Sequence, residues 1–198
     1  VALLDENPFR HDMPYYGYQA DLALTGEIES SLESLLTALK KKVSASDPSR
    51  KQRAEELGGK NNAQRKAWRD EAIALANQKP MDTRWVAHEL SQVLPSDAMI
   101  VDETITHRLA LHRYLDGVKA GSWFAGCIGG LGTGLSTALG VKAANPKRPV
   151  VCVIGDGSFN YDPVPGVYGA AQEHNLPFFT VMLNNQGYLS QKSGIPRY

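Results

Sequence analysis

Two short polar motifs follow two apolar segments of this chain, and their types and spacing point to a binding site. Gly155-Asp156-Gly157 follows the run Val150 to Ile154, and Asn184-Asn185 follows the run Phe178 to Leu183. Twenty-six residues separate the two motifs. If both runs are neighbouring parallel strands, their carboxyl ends lie at one edge of a sheet. An aspartate and an asparagine would then stand side by side at that edge.

This pairing predicts a divalent-cation site that also binds phosphate. Mg²⁺ takes six oxygens at roughly 2.0–2.1 Å and is usually held by one or two carboxylates together with substrate phosphates. The Asp156 carboxylate, the Asn185 amide oxygen and a backbone carbonyl leave room for phosphate oxygens and a water. Gly157 allows the backbone to approach a phosphate closely. Ser158 adds a hydroxyl donor, and the helix that follows adds its positive end.

Alternating apolar and amphipathic segments in the second part of the chain predict the fold that holds these motifs. The strands are nearly continuous in apolar residues, which is typical of a parallel sheet with helices on both faces, an α/β fold. A third loop, Asp102 to Thr106, is expected at the same edge of the sheet. The predicted strands are Ala98 to Val101, Trp123 to Ile128, Val150 to Ile154 and Phe178 to Leu183, and the predicted helices are Asp82 or Thr83 to Leu94, His107 to Leu115, Leu135 to Ala144 and Asp162 to Glu173.

The first part of the chain is predicted to be organised differently. Two short strands, Val1 to Asp5 and Ala20 to Thr25, precede an amphipathic helix from Glu27 to Lys42, which indicates the closing β-α piece of another α/β domain. Residues 43–80 are predicted to be a charged linker with one polar helix, Asn62 to Asn77, after a break at Gly58-Gly59. A second unit is expected over residues 81–198, and the chain is interpreted as a fragment of a longer protein.

Composition excludes several classes of function. The formal net charge is zero, so neither nucleic acid nor a membrane surface is expected as a partner. No run of about 18 apolar residues predicts a transmembrane helix. Two cysteines, Cys127 and Cys152, are too few for a disulfide framework, which favours a reducing compartment. The cytoplasm is the expected location, or a mitochondrion or plastid in a eukaryote.

A competing motif resembles the dinucleotide-binding fingerprint. Gly132 and Gly134 are followed after about 20 residues by the acidic Asp156, as in that fingerprint. Ser136-Thr137 replaces the third glycine, however, and Gly126 interrupts the preceding strand. A dinucleotide-dependent oxidoreductase is therefore the weaker alternative, and a non-catalytic cofactor-binding domain is a further one.

Taken together, these motifs resemble the thiamin-diphosphate-dependent enzymes of the acetolactate synthase, benzoylformate decarboxylase and pyruvate decarboxylase type. The Gly-Asp-Gly motif, the 26-residue interval and the Asn-Asn pair match the cofactor signature of that family. The run Gly129 to Leu135, followed by Ala138-Leu139-Gly140, is a second match. The resemblance implies that residues 1–42 end a central domain and that residues 81–198 form most of a pyrophosphate-binding domain, C-terminally incomplete. Thiamin diphosphate and Mg²⁺ are the implied cofactors.

The resemblance also implies roles for single residues. Asp156, the Asn185 side chain and the Gly187 carbonyl would hold Mg²⁺. Leu131 would stand beneath the bent cofactor, and the Gly129 carbonyl would accept a hydrogen bond from its amino group. The full set of implied cofactor contacts is Thr104, Thr106, Gly129, Leu131, Gly155, Gly157, Ser158, Asn185, Gly187 and Tyr188.

The implied activity is decarboxylation or carboligation of a 2-oxo acid. The Gly-Leu-Gly-x-Gly-Leu run favours an acetolactate synthase-like enzyme, and Asp102-Glu103-Thr104 favours a benzoylformate decarboxylase-like lyase as the alternative. The catalytic glutamate is expected on the pyrimidine-binding domain of a neighbouring subunit in a homodimer or homotetramer. This chain alone is therefore expected to be inactive. One departure from the family pattern, Pro163 and Pro165, predicts a late or distorted start for the helix after Gly-Asp-Gly.

Overall fold

The computed structural model describes residues 1–9, 19–44, 47–125 and 130–194, which form two compact units, Val1–Lys60 and Asn61–Tyr198. In the first unit, β1 (Ala2–Asp5) and β2 (Leu22–Thr25) pair in parallel and precede α1 (Ile28–Lys42). The side chain of Glu27 accepts hydrogen bonds from the amides of Glu29 and Ser30 and so caps α1. The β-β-α order of this part is as predicted. The domain limits at residues 42 and 80 stay a prediction.

The predicted break at Gly58-Gly59 is wrong. A single helix, α2 (Pro48–Ala74), runs through both glycines and includes most of the segment that was predicted as a separate helix from Asn62 to Asn77. A glycine inside a helix costs only about 1 kcal/mol relative to alanine. Strong helix formers on both sides, such as the run Arg53 to Leu57, offset that cost.

The second unit is built on a four-stranded sheet in which every pair is parallel. The strand order is β4-β3-β5-β6, so β3 and β5 lie at its centre. The elements of this unit after α2 are α3 (Thr83–Val93), β3 (Met99–Glu103), α4 (Arg108–Tyr114), β4 (Trp123–Ala125), α5 (Gly134–Ala144), β5 (Val150–Gly155), α6 (Asp156–Tyr161), α7 (Val164–Glu173), β6 (Phe179–Leu183) and α8 (Leu189–Gly194).

Successive residues of β5 point to opposite faces of the sheet, and each face is covered. Val151 and Val153 pack in one apolar cluster with residues of α3 and α4, and Val150, Cys152 and Ile154 pack in another with residues of α5 and α7. The prediction of a parallel sheet between two layers of helices is therefore confirmed. Among the residues described, none of the helices is both long and apolar enough to cross a membrane.

Two predictions near the sheet edge need correction. β3 continues through Asp102 and Glu103, which were predicted to begin a loop; both side chains are buried. The helix predicted from Asp162 to Glu173 is α7, which starts two residues later, at Val164. The segment before it, predicted as a loop, forms a further short helix, α6, that starts directly at Asp156. The helix after Gly-Asp-Gly is therefore not delayed, because Pro163 and Pro165 lie at the start of α7. Of the predicted strand Trp123 to Ile128, only the part up to Ala125 is among the described residues.

Candidate functional site

The two sequence motifs converge at the carboxyl edge of the sheet. Gly155 at the end of β5 pairs with Leu183 at the end of β6, so Asp156 and Asn184 leave the sheet side by side. The backbone amide of Gly187 then donates a hydrogen bond of 3.0 Å to the Asp156 Oδ2 atom. A carboxylate accepts several hydrogen bonds or metal contacts. Asp156 can therefore hold the second loop and a cation at the same time.

The two asparagines of the second motif have different environments. The Asn184 Oδ1 atom accepts a hydrogen bond of 2.9 Å from the Gln186 amide and so closes a turn. Within this turn Gln186 has a φ of 61° and Gly187 a φ of 148°, the left-handed region in which glycine is favoured. Asn185 is exposed at the site. Asn185, unlike Asn184, lines the smaller cavity described below, and its role as a cation ligand stays a prediction.

Close packing explains the glycine after Asp156. A Cβ atom added to Gly157 would lie 2.7 Å from the Cε1 atom of Tyr188, so the ring of Tyr188 covers the backbone at this position. The rings of Tyr188 and Tyr161 meet edge to face at 6.3 Å. A hydrogen bond with Tyr161 raises the pKa of Tyr188. Ser158, one residue further, is buried.

A cavity of about 180 Å³ brings the predicted site residues together. Two threonines of the third loop line it, and so does Leu131. Gly129 lies outside the described residues, so its predicted carbonyl contact is not located. The lining residues are Thr104, Ile105, Thr106, His107, Leu131, Gly155, Asp156, Gly157, Ser158, Asn185, Gly187, Tyr188, Leu189, Ser190 and Gln191.

Asp102 fixes the third loop. Its Oδ1 atom accepts hydrogen bonds from the Thr104 amide at 2.8 Å and from the Thr104 hydroxyl at 2.6 Å. Its Oδ2 atom accepts a bond of 3.2 Å from the Arg108 Nε atom. Thr104 is therefore buried and held in place, whereas Thr106 is exposed at the cavity. Asp102 is a structural carboxylate and does not reach the cavity lining.

Glu103 is a site-supporting residue to which sequence reasoning gave no role. Its carboxylate accepts hydrogen bonds from the backbone amides of Gly132, Thr133 and Gly134 at the start of α5. The available signal was a second acidic residue at the end of an apolar strand. These amides are bonded to protein, so they cannot also bind the pyrophosphate of a dinucleotide.

The order of the strands gives a second argument against the dinucleotide alternative. In that fingerprint the acidic residue ends the strand next to the glycine-bearing one. Here β3 lies between β4 and β5, so Asp156 does not follow a neighbour of β4.

The donor set suits a hard cation that binds together with a phosphate. Among the residues that the structure describes, no group of three or more His, Cys, Asp or Glu side chains could hold a metal. A site based on one carboxylate and one amide needs further oxygens from a ligand, which is the arrangement Mg²⁺ adopts with phosphates. The hydroxyls of Thr106 and Ser158 and the open backbone at Gly155 fit such a ligand.

Comparison with known proteins agrees with this geometry. Residues 105–193 match the family described as thiamine pyrophosphate enzyme, C-terminal TPP binding domain. Benzoylformate decarboxylase of Pseudomonas aeruginosa is 34% identical over 58% of this chain and 22% of its own length. Acetolactate synthase isozyme 3 large subunit of Escherichia coli is 34% identical over 51% of this chain and 17% of its own length.

A solved structure with the same fold is the thiamine diphosphate-dependent 4-hydroxybenzoylformate decarboxylase of Rhodococcus jostii. It matches with a TM-score of 0.53 and 31% identity over 57% of this chain and 21% of its own. The chain thus spans about a fifth of the length of these relatives.

Proposed function

Because residues 105–193 match the C-terminal TPP-binding domain of the thiamine pyrophosphate enzymes, we propose that the chain belongs to this family and contributes the diphosphate and Mg²⁺ half of an active site acting on a 2-oxo acid. The reaction is decarboxylation, with or without carboligation. The hydrogen bond between the Gly187 amide and Asp156 carries the proposal, since it joins the two loops that must share one cation. The bound cofactor supplies the electron sink for loss of carbon dioxide.

In this proposal, the residues of this chain bind and orient the cofactor and its cation. Asp156, the Asn185 side chain and the Gly187 carbonyl bind Mg²⁺. Ser158 and Thr106 donate hydroxyl hydrogen bonds to the diphosphate, since the Thr104 hydroxyl already donates to Asp102. Leu131, which also lines the cavity, supports the cofactor rings.

A wider space adjoins the cofactor cavity. A second cavity of about 820 Å³ is lined in part by Thr106, His107 and Asn185, which also line the first one. The His107 Nδ1 atom lies 2.9 Å from the Thr83 hydroxyl, so this ring is held by α3. We propose that the pyrimidine-binding domain of a second subunit closes the site in a homodimer or homotetramer. Active full-length enzyme that sediments as a monomer would contradict this assembly.

An acetolactate synthase-like activity is the first choice and a benzoylformate decarboxylase-like activity the alternative. The Asp102-Glu103-Thr104 run does not decide between them, because its two acidic residues are buried and bonded to protein. Relatives of both kinds are equally similar to this chain, with 34% identity over the aligned residues.

The test is turnover by the full-length enzyme in the presence of thiamin diphosphate and Mg²⁺. Pyruvate and benzoylformate are supplied separately, and carbon dioxide and the carbon products are measured. We expect pyruvate to give acetolactate; cleavage of benzoylformate alone would favour the lyase alternative. Absence of turnover of any 2-oxo acid, with the cofactor demonstrably bound, would favour a non-catalytic cofactor-binding domain.

A further inference from the structure

The start of α5 is held by a carboxylate from another element. The Glu103 Oε1 atom accepts bonds from the amides of Gly132 at 2.8 Å and Thr133 at 3.1 Å, and its Oε2 atom accepts one of 2.6 Å from Gly134. Glu103 is only 3% exposed. The first amides of a helix have no partner within the helix, and a negative charge is favourable beside them. One side chain at the end of β3 therefore fixes three consecutive backbone amides.

The same segment is enclosed from the opposite side by the end of α6. The backbone at Gly132 has a φ of 91°, and a Cβ atom added there would lie 2.6 Å from the carbonyl oxygen of Tyr161. The next residue, Asp162, accepts a hydrogen bond of 3.2 Å from the Leu135 amide through Oδ1. The segment between Gly132 and Leu135 consequently has no room to move without disturbing Glu103 or α6.

Leu131 directly precedes this fixed segment. It lines the cofactor cavity together with Asp156 and Ser158. α6 begins at Asp156 and ends at Tyr161, so one short helix carries the proposed cation ligand and also packs against Gly132. The position of Leu131 relative to that ligand is therefore set by Glu103 on one side and by α6 on the other.

We propose that Glu103 is a positioning residue. Its carboxylate fixes the backbone at Gly132–Gly134 and thereby the position of Leu131 relative to the bound cofactor. The inference rests on the proposed function, because Leu131 acts only through a bound cofactor. Among the residues that the structure describes, Glu103 is not one that lines the cavity, and both of its carboxylate oxygens are bonded to backbone amides. Its loss should impair the reacting geometry more than the affinity for the cofactor.

The test is Glu103→Gln in the full-length enzyme. Glutamine has the same size but no charge, and its amide group places a donor where a backbone amide needs an acceptor. In the cofactor-free protein, amide hydrogen exchange over residues 130–136 should accelerate. With cofactor bound, kcat should fall by about 10-fold to 100-fold, as expected when reacting groups are displaced by about 1 Å.

Two further readouts separate positioning from general damage. The Kd for thiamin diphosphate in Mg²⁺ should change by less than about threefold, since the lost interaction is not a binding contact. The circular dichroism of the bound cofactor should change, because its rings are supported differently. Unchanged exchange over residues 130–136, or a loss of kcat that is fully explained by weaker cofactor binding, would overturn the inference.

A second variant, at Gly134, perturbs the same carboxylate from the helix that it holds. A Cβ atom at Gly134 would lie 2.6 Å from the Glu103 Oε2 atom, whereas a Cβ atom at Gly140 in the same helix meets nothing within 4 Å. Gly134→Ala should reproduce the faster exchange and the lower kcat, and Gly140→Ala should change neither. Equal behaviour of the two variants would contradict the inference.

If the wild-type enzyme neither binds thiamin diphosphate nor turns over a 2-oxo acid, the proposed function fails. The exchange experiment on cofactor-free protein still decides whether Glu103 fixes this segment.

Discussion

Consecutive acidic residues at the end of β3 serve opposite faces of the sheet. Asp102 holds Thr104 and Arg108, and Glu103 holds the start of α5. This follows from the alternation of side chains along a strand. Each buried carboxylate is satisfied by several donors, as buried charge requires. Two acidic residues thereby fix the two loops that flank the cofactor cavity.

The fit of Tyr188 against Gly157 predicts a local cost for any side chain at this glycine. Gly157→Ala places a Cβ atom 2.7 Å from the Tyr188 ring, so the ring or α6 must shift. We expect the free energy of unfolding of the cofactor-free protein to fall by about 1–3 kcal/mol, the usual range for overpacking. Denaturant unfolding measures this change.

Gly155→Ala is the matched control, because an added Cβ atom there meets nothing within 4 Å. Its stability should remain close to that of the wild type. If Gly157→Ala is as stable as Gly155→Ala, the close contact with Tyr188 does not exist in solution.

The environment of Asp162 predicts a pH dependence of stability. Burial and then the neighbouring Glu103 carboxylate raise the pKa of Asp162 from 3.8 to about 6. Other groups near it are Cys152 of β5, whose pKa is itself raised chiefly by burial, and the amides of Leu135 and Ser136. Because the folded state binds this proton more tightly, the stabilisation is fully present below pH 3.8 and is lost as pH rises through about 6.

Asp162→Asn should remove that dependence. Asparagine keeps an oxygen for the Leu135 amide and offers a permanent donor to Glu103. The stability of the variant relative to the wild type should therefore rise between about pH 5 and about pH 7.5, as followed by denaturant unfolding of cofactor-free protein. A stability difference that stays constant over this range would show that Asp162 does not titrate there.

At the scale of elements, the strands of the larger sheet could be predicted because each consists mostly of apolar residues. Val150 to Ile154 became β5 with one residue added, and Phe178 to Leu183 became β6 with one removed. The edge at which Asp156 and Asn185 meet follows from parallel pairing alone. The helices were less predictable where propensity competes with packing. α6 has six residues and no apolar periodicity, so it gave no helical signal.

The interactions around Glu103 were beyond sequence reasoning for a different reason. They join residues about 30 positions apart, and nothing in an isolated sequence shows which buried acid faces which helix. Asp102 and Glu103 looked like loop residues because charged side chains seldom end a buried strand. Here both carboxylates accept several hydrogen bonds, which offsets the cost of burying them at the end of a strand.

The two glycines inside α2 allow a direct test of whether the helix is continuous. Added Cβ atoms at Gly58 and Gly59 meet nothing within 4 Å, and both positions lie inside the helix. Gly58→Ala and Gly59→Ala should each raise the free energy of unfolding by up to about 1 kcal/mol, because alanine loses less conformational entropy. Thermal or denaturant unfolding is the measurement.

The comparison for this pair is Gly132→Ala, which should destabilise because of its φ of 91° and its contact with Tyr161. Destabilisation by alanine at residues 58 and 59 as well would indicate that the helix is broken there, as the sequence alone had predicted.

At the scale of the whole molecule, the sheet places three loops at one edge and two apolar clusters behind it. The family match over residues 105–193 covers the loops after β5 and β6 and all but the start of the loop after β3. The matched part of the chain corresponds to about a fifth of the length of these relatives. The central proposal concerns the edge of the sheet alone. There, one cation shared by Asp156 and the loop of Asn185 and Gly187 binds a diphosphate.

The most direct test is calorimetric titration of the full-length protein with thiamin diphosphate. The wild type and Asp156→Asn are each titrated in Mg²⁺ and in EDTA. Asparagine keeps an acceptor for the Gly187 amide but removes the charge that binds the cation. We predict tight binding only for the wild type in Mg²⁺, with affinity lower by at least about 100-fold, or about 2.7 kcal/mol, in EDTA or in the variant. Equal affinity of the wild type in Mg²⁺ and in EDTA, or of the variant and the wild type in Mg²⁺, would contradict the account.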